Sequence, residues 1–182
     1  MSFLTLGSYL AQTQTLRAAV IPYILLDNEL YFLLGQDSQS GDLTDFGGGV
    51  KKYESTLAAA LREFDEESDE IFGPLCKNSN NFSKAIALLD SSMGVLFIPL
   101  PREWYKKAPI SFQDKKGDLS KKKTHREIDK LIWVAEGEFE NILKQDSDRM
   151  WKKIQKFYRK GYNSIIREAL ILIYRNGREE SN

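Results

Sequence analysis

A chain of 182 residues has room for one well-cored domain and too little for two. With 42% hydrophobic and 29% charged residues, and 26 basic side chains against 26 acidic ones, the composition argues against disorder, a membrane class and a protein that coats nucleic acid by bulk charge. Cys76 is the only cysteine, so an intramolecular disulfide and a cysteine zinc cluster are ruled out and a reducing compartment is expected.

The opening MSFLTLGSYLAQTQTLR has no basic segment ahead of an apolar run, and no stretch reaches the roughly 18 apolar residues that cross a bilayer. A soluble, intracellular, cytoplasmic protein without a membrane partner is expected. After this polar lead-in, LRAAVIPYILLD and ELYFLLGQD read as strands of a hairpin turning at Asp27-Asn28, with Pro22 requiring an edge or a bulge. The turn-rich SQSGDLTDFGGG reads as loop up to Val50. Leu57, Ala60, Leu61 and Phe64 then recur at helical spacing as an apolar face, while Glu63, Glu66, Glu67 and Glu70 project together from another.

Farther on, KAIALLD and GVLFIPLP read as strands joined by SSMG, and EIDKLIWVA as a run that completes the sheet. Between them, Arg102 to Arg126 is a polar stretch with nine basic and three acidic residues, expected to be a long functional or mobile loop. The last quarter, about 146–176, is expected to be helical. One stripe runs through Met150, Trp151, Ile154, Phe157 and Tyr158, and a second through Ile165, Ile166, Ala169, Leu170, Leu172 and Ile173. Gly161 should break the two, and Asn176-Gly177 should end the second. Strands, helix, strands, helices in that order predict an α/β or α+β sandwich with helices covering a mixed sheet.

Like charges at i, i+3 and i+4 each cost a helix a few tenths of a kcal/mol, so helix stability is no reason to cluster these glutamates. A glutamate-rich face standing alone is usually solvated surface. Here adjacent glycines allow close backbone approach and Arg62 offers an internal counter-charge, an arrangement suited to a hard cation that takes oxygen ligands.

The segment from Gly48 to Glu70 resembles the Nudix box, GX5EX7REUXEEXGU with U a bulky apolar residue. Gly48 matches the first glycine, Glu54 the first glutamate, Arg62-Glu63 the RE, Phe64 the U and Glu66-Glu67 the EE. FLLGQD, DFGGG and the downstream strand ending in Trp133 resemble the wider family as well. The ending departs from the box: Asp69 and Glu70 stand where glycine and an apolar residue belong, with Ile71 expected to take the buried role one position later.

The resemblance implies a single domain over residues 1–182: a Nudix-type α/β/α sandwich, its mixed β-sheet flanked by helices. It implies metal-dependent hydrolysis of a nucleoside diphosphate linked to another moiety, such as a nucleotide, a nucleotide sugar, a dinucleoside polyphosphate or an RNA cap. Glu63, Glu66 and Glu67, with the carbonyl of Gly47, would bind Mg²⁺ or Mn²⁺, supported by Glu54 and Arg62. A distal carboxylate is expected at Glu127, with Asp114 and Asp118 as competitors, and either Glu67 or Glu127 would act as base. Lys121, Lys122, Lys123 and Arg126 would hold phosphates, and His125 is a base, a phosphate contact or a plain loop residue. Trp104, Tyr105, Phe46, Trp151 and Tyr158 are base-stacking residues or core. Substrate signatures of known subfamilies are absent, although the DFGGG form resembles Nudix proteins of large DNA viruses, some of which remove RNA caps. The alternative is a Nudix-like module that binds nucleotide or RNA without turnover. Oligomeric state stays open, a homodimer included.

Overall fold

The computed structural model describes residues 3–77, 82–118 and 127–179. Its central strand, β2 (Arg17–Leu26), is apolar almost throughout, and its eight inner residues are buried, as a strand covered on both faces requires. Strand β3 (Glu29–Asp37) folds back on β2 through Asp27 and Asn28, whose φ values of 48° and 65° are those a tight type I′ hairpin turn demands.

The polar lead-in contains a strand, β1 (Phe3–Leu6), and one helical turn, α1 (Gly7–Leu10). Pro22 sits neither at an edge nor at a bulge. Along one side β2 pairs with β7 (Met93–Pro99) in parallel; along the other it pairs with β5 (Phe46–Gly49) through Val20 and with β3 only from Tyr23. Pro22 falls in the gap between those partners, where its missing N–H breaks no ladder bond.

The FGGG expected in a loop is itself β5, preceded by the two-residue β4 (Leu43–Thr44). Glycines carry no strand pattern, but a Cβ on Gly47 would stand 2.4 Å from that of Ala19, so the close pairing with β2 requires glycine there. Strand β6 (Ile86–Leu89) joins β1 to β7, and β8 (Ile128–Ala135) adds to β3, giving a mixed sheet of eight strands among the described residues.

Helix α2 (Thr56–Glu67) starts where the Ser55 side chain accepts the Ala58 N–H at 3.1 Å, and it buries Leu57, Ala60, Leu61 and Phe64 as expected. Alternation along the strands places helices on both faces. The Cβ direction of Gly48 meets Glu63 of α2, while that of Gly47 meets Arg17 and Ala19; Tyr23, in phase with those two, donates to the Leu170 carbonyl of α7 (Ser164–Glu179) on the opposite face.

A single turn, α3 (Gly73–Cys76), follows α2. The stretch from Arg102 is not all loop, because Trp104–Gly117 forms helix α4 despite Pro109. Only Ala108 and Phe112 of α4 are buried, so no apolar stripe announced it. The C-terminal part holds α5 (Glu136–Leu143), α6 (Lys152–Gly161) and α7, and Gly161 ends α6 as expected. Asn176-Gly177 does not end α7, which runs on to Glu179. Its buried set is Ile166, Leu170, Ile171 and Tyr174, while Ile165 and Leu172 face out. No helix among the described residues is long and apolar enough to cross a membrane.

Candidate functional site

The glycine strand β5 and the end of α2 form the site. Arg62 organises it: Nε and Nη2 donate to the two Glu54 oxygens, both at 2.9 Å, Nη1 donates to Glu63 Oε1 at 2.6 Å, and Nη2 also donates to the Gly49 carbonyl at 3.0 Å. The same Nη1 stands 3.6 Å from Glu66 Oε2. The Arg62 hydrogen bonds hold the Glu54 carboxyl below the usual carboxylate range, although partial burial opposes them and the Lys51 N–H assists. Gly48 packs face-on against Glu63; a Cβ there would stand 2.5 Å from its carboxyl carbon.

Glu67 turns inward. Its Oε2 accepts the Gly47 N–H at 2.8 Å, and its carboxyl shares a hydrogen bond with Glu127, which arrives just ahead of β8. Burial pushes the Glu67 carboxyl up to about 10, and the Asp45 and Glu127 charges add to the rise while Arg17 opposes it. Burial therefore favours the protonated form of Glu67 when no cation is near. Glu127 is positioned by backbone, since its carbonyl accepts the Ser38 N–H at 2.8 Å beside a register shift between Gln36 and Asp37.

Among the described residues, no three Asp, Glu, His or Cys side chains converge closely enough to hold a metal ion. Glu63 and Glu66 are drawn to Arg62, and Glu67 to Gly47. The donor set nonetheless fits a hard divalent cation. The side-chain donors are all carboxylate oxygens, the Gly47 carbonyl is a further oxygen donor, and Glu63, Glu66 and Glu67 lie in the last five residues of α2, where no basic residue offsets the negative end of the helix dipole. Each of them opposes the dipole at some cost, so neither the helix nor its end gains from them.

Glu70 does not join this face, because α2 ends before it. Asp69 and Glu70 both adopt left-handed conformations (φ 58° and 62°), and the Glu70 N–H closes onto the Asp65 carbonyl at 2.8 Å. The residue that then takes the buried role is Phe72, not Ile71: Phe72 is fully buried and stacks on Phe64 at 4.9 Å, while Ile71 is half-buried. Two left-handed residues in succession delay the chain's return to the core by one position more than expected.

Lys121, Lys122, Lys123, His125 and Arg126 lie outside the described residues. Asp114 lines a separate cleft with Glu70 and Lys107, and Asp118 caps the end of α4. Phe46 is core against Phe64, Trp104 packs on Phe72, and Tyr105 packs on Trp133 and Tyr31. Trp151 remains exposed.

Three neighbours of the site escaped the sequence reading in this role. Asp45, fully buried, accepts from Arg17 Nη2 at 2.6 Å and Nη1 at 3.1 Å, and from the hydroxyl of Tyr158 on α6. Burial alone would lower the Arg17 pKa, but the Asp45 carboxylate outweighs it and the guanidinium stays charged. An acid between Thr44 and Phe46, directly before an apolar-and-glycine strand, was the available signal, since such a carboxylate must find a partner.

No family model matches the chain, and neither does any curated protein. Among solved structures, the chain is similar to an Ap4A hydrolase of C. elegans in a binary complex, with 18% identity, 79% of this chain and 92% of that one covered, and a TM-score of 0.42. It is similar to a second structure of C. elegans Ap4A hydrolase, with 15% identity, 81% and 96% covered, and a TM-score of 0.41. A mutT/nudix family protein from Listeria innocua is similar at 16% identity over 88% of this chain and 98% of that one, with a TM-score of 0.47.

Proposed function

We propose that this chain is a Nudix-type pyrophosphohydrolase, which cleaves a diphosphate linkage in a nucleoside diphosphate joined to another moiety and uses Mg²⁺ or Mn²⁺. One observation carries the reading: Arg62 gathers Glu54, Glu63 and Glu66 at the end of the helix where Glu67 meets Glu127, a residue far away in sequence. No structural gain explains so many carboxylates at one point.

Glu63, Glu66 and Glu67 would hold the cation. When bound, it supplies neutralisation of phosphate charge and a lowered pKa for attacking water. The chain's own groups do the rest. Glu54 keeps Arg62 in place through two parallel hydrogen bonds, and Arg62 in turn limits how far Glu63 and Glu66 swing. Glu67 or Glu127, the two carboxyls that meet at the inner end of α2, would take the proton from water in its ionised form. Gly48, having no Cβ, lets the Glu63 carboxylate lie directly against β5.

The test is a panel of nucleoside diphosphate compounds, including nucleotide sugars, dinucleoside polyphosphates such as Ap4A, and capped RNA, assayed with Mg²⁺ or Mn²⁺. Metal-dependent release of a monophosphate product from at least one compound is expected. Binding without turnover across the panel would instead favour a nucleotide- or RNA-binding module, the reading that the Asp69-Glu70 ending keeps open.

A further inference from the structure

Helix α6 concentrates charge in a way a neutral chain does not require. Its five charged residues, Lys152, Lys153, Lys156, Arg159 and Lys160, are all basic and all exposed, while Ile154, Phe157 and Tyr158 face the core. Lys153, Lys156 and Lys160 fall on one line of the helix and wall a cavity of about 310 Å³, large enough for a base with its sugar. Among the described residues, none of the three is drawn into a salt bridge.

The same cavity is lined by two large apolar side chains left in water, Trp151 at 54% exposure and Leu16 at 78%. Lys153 Nζ sits 5.9 Å from the centre of the Trp151 ring. Asp90 also lines it, but its Oδ1 is taken up by the N–H and hydroxyl of Ser92 and the N–H of Met93. Arg17 forms part of the wall and, through Asp45, borders Glu67, so the cavity adjoins the acid site without sharing its carboxylates.

A row of cations that make no salt bridge among the described residues, beside an exposed ring, matches one class of ligand: a flexible chain that alternates phosphates with flat bases. An acidic peptide would satisfy the lysines and leave Trp151 and Leu16 without a partner. We propose that the Lys153–Lys156–Lys160 row and Trp151 form a binding site for single-stranded nucleic acid, in which phosphates lie along the lysines and a base stacks on the indole. This site does not depend on hydrolysis or on a bound metal.

The test uses the whole chain in EDTA, so that turnover plays no part, with fluorescein-labelled RNA and DNA strands of about 12 nucleotides bearing a 5′-hydroxyl. Anisotropy titrations at several salt concentrations should show saturable binding that weakens as salt rises. K153Q/K156Q/K160Q should weaken it by about tenfold or more and reduce the salt slope by about 2, the share of three phosphate contacts on a single strand. Trp151→Ala should weaken it by about tenfold. Arg159→Gln, on the side of α6 that lines a different cavity, should leave it unchanged. A preference for RNA would add a 2′-hydroxyl contact, and equal binding of both strands would assign the affinity to backbone and stacking; either supports the site. Absence of binding at low salt would overturn it, and so would triple-variant binding with wild-type affinity and slope, or a duplex held as tightly as a single strand. None of these outcomes bears on whether the chain hydrolyses diphosphates.

Discussion

Glu66 is the most exposed of the three metal-ligand candidates, with 58% of its side chain in water, and its Oε2 stands 3.6 Å from Arg62 Nη1. Changing Glu66 and Glu67 to Gln should cut turnover by at least ~10²-fold, and should also remove any rise in Tm that Mg²⁺ or Mn²⁺ brings to the wild type, because a ligand stabilises only the state that binds it. Wild-type turnover in that variant would end the hydrolase reading. Glu127→Gln should likewise lower kcat, yet leave Tm unchanged or slightly raised, since one of the charges crowding Glu67 is gone. Tyr53 makes the opposite point: it is 90% exposed at φ 67°, a conformation that suits glycine, so Tyr53→Gly should stabilise the fold by about 0.5–1 kcal/mol in urea unfolding.

Two adjacent glycines of β5 serve different ends. A Cβ on Gly47 would collide with Ala19 and with the Ala18 carbonyl, which cannot yield, whereas one on Gly48 would meet only the movable end of Glu63. Gly47→Ala should thus cost about 1–3 kcal/mol of stability, and Gly48→Ala should cost little while weakening metal binding and turnover. Equal stability losses in the two variants would refute this division. The β3–β4 turn supports the site in a comparable way. Asp37 accepts the Ser40 and Gln39 N–H groups at 2.7 and 2.9 Å, bonds that hold its carboxyl below the usual range, and the next residue, Ser38, holds the Glu127 carbonyl. A depressed folded pKa contributes stability above the unfolded value of about 3.9 and loses it as pH falls through the folded one. Asp37→Asn should therefore flatten the stability–pH curve below about pH 4, measured by urea midpoints; an unaltered curve would refute the assignment.

At the scale of the molecule, the Arg17–Asp45–Tyr158 network ties α6 to the sheet beside Glu67. Tyr158→Phe leaves the buried Asp45 short of a donor and should cost about 1–3 kcal/mol. Arg17→Met, which leaves an uncompensated buried charge, should cost about 3–5 kcal/mol. Calorimetry that ranks the two in the reverse order would place the weight of the network on the hydroxyl.

Periodicity and turn chemistry are local, and what depends on them was legible in the chain: the β2–β3 hairpin at Asp27-Asn28, the apolar face of α2, and the spacing that puts Glu63, Glu66 and Glu67 at one helix end. The box residues were legible for the same reason, their geometry being set by one short segment. Tertiary contacts decided the rest. FGGG became a strand because β2 offers a close, small-residue edge, α4 formed with only two buried side chains, and Phe72 displaced Ile71 because two successive left-handed residues rotated the chain. Asp45 found Arg17 and Tyr158, and Glu67 found Glu127, only when segments distant in sequence met. No pattern within a few residues encodes such a meeting, because the burial that makes each pairing favourable exists only once the sheet and α6 have come together.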